Sequence, residues 1–278
     1  MIDYTIAREK GGAIAWTEEQ VAYIIDKYTN ENYTLAQLGR EFNVAYGTIK
    51  LLLKKHHCFV DGYKRGYPRN EFYFLDINTA EKAYWLGFLY ADGCITNGNS
   101  IEISLKDKTH LEKFQKVIGA INHKITTIED TRWDKPTITY HFSFRDKQMW
   151  NDLNHWGCVP NKSLVLESIP NIPRNYISHF IRGYFDGDGS LHYLKGTNNY
   201  RISFVGTKEF LQDIQKELEV QTISIQKPKM GKHYQLQISG RKQVERILNY
   251  LYKDSVPETR LDRKYQLYLN CLEWAHRH

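Results

Sequence analysis

Apolar positions along the 278 residues follow two periods, and the way these alternate divides the chain. Up to about residue 57 the spacing is helical. Trp16-Thr17-Glu18-Glu19 reads as a helix start, with Thr17 as N-cap and acids in the first turn. Val21, Ile24, Ile25 and Tyr28 then share one face. A second helix begins at Thr34, with Leu35, Leu38 and Phe42 inward. After a turn at Asn43-Val44, a third runs from Tyr46 to about Lys55, with Ile49, Leu52 and Leu53 on its buried side. Beyond residue 75, helical and alternating stretches take turns in an order that occurs twice. AYWLGFLYADG at 83–93 matches HFIRGYFDGDG at 179–189. The strand-like stretch 101–105 parallels 200–204, the helical 110–115 parallels 210–215, and the strand-like 141–145 parallels 237–241. Each half reads helix, two strands, helix, two strands, helix. The expectation is an α+β chain of tandem pseudo-twofold αββαββα repeats, at 76–172 and 173–278. A small all-α domain at 1–57 and a linker at 58–75 precede them.

The repeated helix carries the chemistry. Gly87 and Ala91 lie four apart, as do Gly183 and Gly187, so each pair falls on one helical face. Small residues at that spacing let two backbones approach, which makes Gly87 and Gly183 the expected helix interface. The helices end at Gly93 and Gly189, expected to be left-handed caps. Side-by-side packing then brings Asp92 and Asp188 together where the helices stop. Two carboxylates at helix C-termini repel, and a divalent cation removes that cost. Hard oxygen ligands suit Mg²⁺. Two acids with such a metal are equipment for attacking phosphodiesters with water. The twofold repeat presents one acid to each of two antiparallel strands, as a double-strand cut requires.

Composition narrows the field. A hydrophobic share of 41% with 14% aromatics supplies a packed core, and 38 Lys+Arg against 32 Asp+Glu gives +6, compatible with nucleic acid without establishing it. The longest uncharged apolar stretch, 83–91, falls short of the roughly 20 residues that span a bilayer. Met1-Ile2-Asp3 opens no signal pattern. No membrane partner is expected, and the location is read as cytoplasmic: a nucleoid, a phage-infected host cell or an organelle. Cys58, Cys94, Cys158 and Cys271 are scattered, as reduced thiols are, and His56-His57-Cys58 lacks a second ligand pair for zinc. From Lys50 to Arg69 six basic residues (Lys50, Lys54, Lys55, Lys64, Arg65, Arg69) face the single acid Asp61, with Tyr63 and Tyr67 among them and Gly62, Gly66 and Pro68 punctuating. This linker suits a phosphate backbone and a plain solvated connector equally. No Gly-x-Ser-x-Gly elbow supports a nucleophile mechanism.

Two resemblances follow. Thr34-Leu35-Ala36-Gln37-Leu38, Val44 and Thr48-Ile49 look like a helix-turn-helix of the resolvase or sigma-factor type, departing at Gly39 and Asn43. That likeness makes Tyr46, Thr48 and Lys50 the expected groove-facing residues. Residues 85–93 and 181–189 resemble the nine-residue signature of the LAGLIDADG homing endonucleases, with the acid at its eighth position. The flanks Asn161-Lys162-Ser163 and Ile169-Pro170 strengthen the likeness, which covers roughly residues 72–276. It implies a saddle of two four-stranded antiparallel sheets gripping double-stranded DNA, in a monomer with internal pseudo-twofold symmetry. Asp92 and Asp188 become metal ligands, with the carbonyls of Ala91 and Gly187 as auxiliaries. Tyr90 departs from the signature's Asp; Asp186 keeps it, as a helix-end hydrogen-bonding residue. A basic residue near the attacking water is also implied. Lys106 is the first choice and Lys208 a substitute, with Arg145 and Arg241, each read as ending a fourth strand, as DNA contacts. A regulator on the same scaffold lacking the acids, and an RNA maturase, are the competing readings. An intein is not expected, since no terminal Asn follows His276-Arg277.

Overall fold

The computed structural model describes residues 2–8, 14–29, 31, 33–59, 69–131, 136–220, 225–227 and 233–277. They form two compact units, Met1–Arg69 and Asn70–His278. In the first, β1 (Ala7–Arg8) pairs antiparallel with β2 (Ile14–Ala15), followed by α1 (Glu18–Thr29), α2 (Leu35–Glu41) and α3 (Tyr46–Lys55). Ile24, Tyr28, Leu38, Phe42, Ile49, Leu52 and Leu53 make its core. Local chemistry sets the helix starts. The Thr17 hydroxyl accepts from Gln20 N at 3.2 Å, and Thr34 and Gln37 cap α2 reciprocally. Between α2 and α3 the chain turns sharply. Asn43 takes φ 51°, and a Cβ on Gly39 would stand 2.8 Å from the Val44 carbonyl oxygen. Both departures from the helix-turn-helix pattern thus serve that tight turn. The aromatic and basic linker residues Tyr63, Lys64, Arg65 and Tyr67, with Asp61, Gly62, Gly66 and Pro68, lie outside the described residues.

The second unit runs α4 (Ala80–Asp92), β3 (Gly93–Ile95), β4 (Ser100–Leu105), α5 (Lys108–Val117), β5 (Thr126–Asp130), β6 (Thr137–Arg145) and α6 (Lys147–His155). It then repeats the order as α7 (Ile177–Asp188), β7 (Gly189–Leu194), β8 (Asn199–Gly206), α8 (Lys208–Glu217), β9 (Ile225–Gln226), β10 (Tyr234–Ser239) and α9 (Arg241–Tyr252), and adds α10 (Asp262–Arg277). The sheets are antiparallel, ordered β3-β4-β6-β5 and β7-β8-β10-β9. One face of each is apolar and buried: Ile101, Ile103, Phe142 and Phe144 in the first, Ile202, Phe204, Leu236 and Ile238 in the second. The duplicated α+β architecture is therefore as the periodicity predicts. Among the described residues no helix is long and apolar enough to cross a membrane.

Helices α4 and α7 touch through their backbones. A Cβ on Gly87 would lie 1.9 Å from the Phe180 carbonyl oxygen, and one on Gly183 would lie 2.0 Å from that of Tyr84. No side chain fits at either position. Gly93 and Gly189 correct one expectation: their φ angles are −71° and −91°, in extended rather than left-handed backbone. Each is glycine because a Cβ would strike the carbonyl oxygen four residues back, at 2.6 Å for Leu89 and 2.5 Å for Phe185. Arg241 is a second correction. Strand β10 stops at Ser239, Gly240 swings to φ 99°, and Arg241 opens α9.

Candidate active site

The close approach of α4 and α7 carries their C-terminal ends into one place. At Gly187 an added Cβ would meet the Ala91 Cβ at 2.3 Å and Asp92 Oδ2 at 3.2 Å, so the Asp92 carboxylate lies against the backbone of the opposite helix. Asp92 and Asp188 are both half-buried there. Burial, and then the charge of Asp188, push the Asp92 carboxyl up to about 6 from its ordinary 3.8. Burial also raises Asp188. Lys162 and Lys264 oppose both shifts, helped by Arg263 at Asp92 and His233 at Asp188. Two acids pushed this way form a site that favours a cation between them.

Those two lysines are the residues that motif reasoning missed. Lys162 follows Asn161, whose left-handed backbone (φ 57°) turns the chain back toward α4. Its Nζ donates to the Ala91 carbonyl at 3.1 Å and to that of Gly93. Lys264, in the first turn of α10, donates to the carbonyls of Phe185 at 2.5 Å, Asp186 at 2.8 Å, Gly187 at 3.4 Å and Gly189 at 2.6 Å. Ala91 and Gly93 correspond to Gly187 and Gly189, so each helix end holds one buried ammonium group on equivalent carbonyls. The cations complement the negative pole of each helix and its unpaired carbonyls. Burial lowers Lys264 to about 8, which leaves it mostly charged at neutral pH. One signal was in view, since Lys162 stands in the Asn161-Lys162-Ser163 flank. Lys264 had none of that kind.

The other expected residues fall elsewhere. Lys106 and Lys208 are exposed beside the strand ends, and the cations acting most strongly on the acids are Lys162, Lys264, Arg263 and His233 instead. Arg145 ends β6 and is exposed; Arg241, on α9, is exposed as well. In the first unit Tyr46 is exposed and Thr48 half-buried, but the Lys50 ammonium lies over the Phe59 ring at 5.1 Å rather than pointing freely outward.

Asp186 lies in the last turn of α7 and is fully buried. It accepts from Tyr84 Oη at 2.8 Å, Tyr252 Oη at 2.5 Å and Leu261 N at 2.7 Å. His110 Nε2 sits 3.0 Å from the same Tyr84 oxygen, and burial holds its imidazole neutral by lowering it to about 3. Tyr90, at the equivalent place in α4, donates its hydroxyl to the Trp156 carbonyl.

As a metal centre the set is carboxylate and carbonyl oxygen only. Asp92, Asp188 and the carbonyls of Ala91 and Gly187 are hard donors of the kind Mg²⁺ takes. Each carbonyl has two lone pairs, so a hydrogen bond from lysine leaves one available. Among the described residues no group of three or more His, Cys, Asp or Glu gathers as a metal cage. A cation here would therefore need oxygens from outside the side chains, as substrate phosphate and water provide.

Comparison with known proteins bears on the fold. Residues 175–252 match the model of the LAGLIDADG-like domain. The homing endonuclease I-WcaI bound to its DNA recognition sequence aligns over 69% of this chain and 87% of its own, with TM-score 0.51 and 20% identity. The LAGLIDADG meganuclease I-AabMI bound to uncleaved DNA aligns over 69% and 89%, with TM-score 0.44 and 13% identity. Full-length DUF199/WhiA from Thermatoga maritima aligns over 73% and 64%, with TM-score 0.43 and 15% identity. No curated protein matches the sequence.

Proposed function

We propose, on the premise that this chain is a LAGLIDADG-fold protein with both motifs and both acids in place, that it is a site-specific endonuclease. It makes a metal-dependent double-strand cut in DNA. The observation that carries this reading is the pair of half-buried acids, Asp92 and Asp188, at adjoining helix ends, each with a buried lysine on equivalent carbonyls.

In this reading Asp92 and Asp188 hold the divalent cation, with the Ala91 and Gly187 carbonyls as auxiliaries. A bound Mg²⁺ would acidify the attacking water and stabilise charge on the scissile phosphate. Lys162 and Lys264 offset part of the cost of charge on the acids and hold the helix ends at fixed positions, so the two oxygen sets stay aligned with two antiparallel strands. The basic role belongs to these buried lysines; Lys106, Lys208 and Arg241, all exposed, serve as phosphate contacts, and exposed Arg145 as a DNA contact from its sheet. The first unit adds an auxiliary DNA contact through α3, where Tyr46 and Lys55 are exposed; Thr48 lines the helix start, and Lys50 and Lys54 are both drawn toward Phe59.

Asp92→Asn and Asp188→Asn should each reduce double-strand cutting of a selected target by about 10²-fold or more, with DNA binding kept. A wild-type rate in either variant sinks the catalytic assignment. A wild-type chain that binds duplex and never cuts it with Mg²⁺ is a regulator instead, and one that prefers structured RNA is a maturase. Deleting residues 1–69 should make log-affinity fall less steeply with log salt, by about 0.9 for every phosphate that the first unit neutralises. Identical slopes would detach the first unit from DNA.

A further inference from the structure

The faces of the two sheets that point away from the core take no part in the helix-end site. In β4, β6, β8 and β10 the apolar positions point inward, so the alternate positions form the opposite face. On the second sheet these include the cross-strand rows His192–Arg201–Ser239, Ser190–Ser203–Gln237, in which Ser203 is buried, and Val205–Gln235–Gln226. Side chains within the face fix one another. Arg201 Nε donates to Ser239 Oγ at 3.2 Å, Gln237 Nε2 to Gln235 Oε1 at 2.9 Å, and the Ser190 and Ser203 hydroxyls are hydrogen-bonded at 2.5 Å. No acid stands on these rows. Strand β7 starts directly after Asp188, so the face is continuous with the helix-end site.

The first sheet is different row by row. Setting the pair Gly93–Ile103 on Gly189–Phe204 gives the corresponding rows Ser100–Arg145, Cys94–Glu102–Ser143, and Ser104–His141–Thr126. The arginine has crossed to the neighbouring strand: Arg145 on β6 faces Ser100, whereas Arg201 on β8 faces Ser239. Where the second sheet has Gln226, Gln235 and Gln237, the first has Thr126, His141 and Ser143. Glu102, accepting from Ser100 Oγ at 2.8 Å, replaces Ser203.

Base edges in a major groove discriminate among these side chains. Arginine pairs with guanine in a bidentate fashion, glutamine with adenine and glutamate with the cytosine amino group, while serine and threonine accept any base. Rows two residues apart along a strand are about 6.8 Å apart, close to two base pairs at about 3.4 Å each. We propose that base discrimination is unequally divided between the two halves. The outer face of the second sheet reads its half-site stringently, with a guanine at Arg201 and adenines at Gln235 and Gln237; the first sheet, where Arg145 and Glu102 are the discriminating side chains of the corresponding rows, reads its half-site more loosely. This rests on the DNA reading above and names which part of the duplex carries the information.

Selection of the full chain against a library of randomised duplexes, in EDTA to prevent cutting, tests it. One half of the enriched sequence should be sharply defined and contain guanine and adenines. Arg201→Ala should lose the guanine preference at one base pair, roughly 5- to 150-fold, and leave the other half untouched, whereas Arg201→Lys, whose ammonium can still donate to guanine, should keep part of it. Arg145→Ala should alter only the loosely defined half, which fixes the assignment of halves. Two equally defined halves, or an Arg201→Ala variant weakened alike for every sequence, would overturn the unequal division. A library from which no sequence is enriched would overturn the sequence-specific DNA reading itself, and the inference with it.

Discussion

Helices α4 and α7 meet back to back through the same small residues, yet they fill their other sides with opposite chemistry. Around its glycine contact α4 buries Leu86 and Tyr90, and at the equivalent places α7 buries Arg182 and Asp186. Arg182 makes four hydrogen bonds: Nε donates to Thr259 O at 2.9 Å, Nη2 to Thr259 Oγ1 at 3.1 Å, and Nη1 to Leu251 O at 2.9 Å and His179 Nδ1 at 2.9 Å. Asp186 takes Tyr84, Tyr252 and Leu261. The backbone contact is the fixed element, and what surrounds it is free to differ. The polar solution ties α7 to residues 251–261, the segment that leads into α10 and delivers Lys264. The less polar solution holds its own segment by one bond, from Tyr90 to the Trp156 carbonyl, ahead of the turn at Asn161 that brings Lys162.

Breaking what the halves share should have the largest effect. Gly87→Leu and Gly183→Leu each drive a side chain into backbone where even a Cβ fails to fit, and overpacking of this severity costs roughly 3 kcal/mol or more. Thermal melting should show both variants losing cooperative unfolding of the second unit, to the same degree. A native-like melt in either would remove the backbone contact from the account.

Next comes what the halves do not share. Asp186→Ala strands three buried donors and should cost about 3–5 kcal/mol, whereas Tyr90→Phe, losing one hydroxyl bond to Trp156 O, should cost about 1 kcal/mol. Urea denaturation of the two variants measures the gap, and equal losses would deny the asymmetry.

The smallest effect concerns charge. Asp92 titrates at about 6 in the folded chain against 3.8 ordinarily, so the fold favours its neutral form. The resulting penalty is absent below pH about 4, grows as pH rises toward 6, and is complete above it. Without metal, Asp92→Asn should therefore melt higher than wild type at pH 7, by about 1 kcal/mol after screening at this half-buried site, or roughly 2–4 °C. The difference should vanish near pH 4. A lower melting point at pH 7 would mean that the carboxylate is stabilised where it sits.

Most of the fold could be read from sequence because burial imposes a period and the period occurs twice. The acids and Gly87 and Gly183 followed from that same duplication. Lys162 and Lys264 did not, since they satisfy backbone carbonyls about 70 to 80 residues away, and a carbonyl is the same in every residue. Nothing in a single lysine codon distinguishes a solvated charge from a buried one. The left-handed caps expected at Gly93 and Gly189 failed for a related reason: glycine answers both a positive φ and a lack of room, and only the neighbouring Leu89 and Phe185 tell which. For Arg241 the warning was present, because Gly240 between strand and helix marks a break in alternation.

Lys264 stands on α10, and this has a consequence for synthesis. While a ribosome is still making α9, the nascent chain already contains Asp92, Asp188 and Lys162, and it has no ammonium group for the second helix end. Four carbonyls, from Phe185 to Gly189, wait without their donor, and the Leu261 amide has not yet reached Asp186. The second helix end thus gains its donor only after translation has passed residue 264 and α10 has packed, later than the first, whose Lys162 is made about 100 residues earlier.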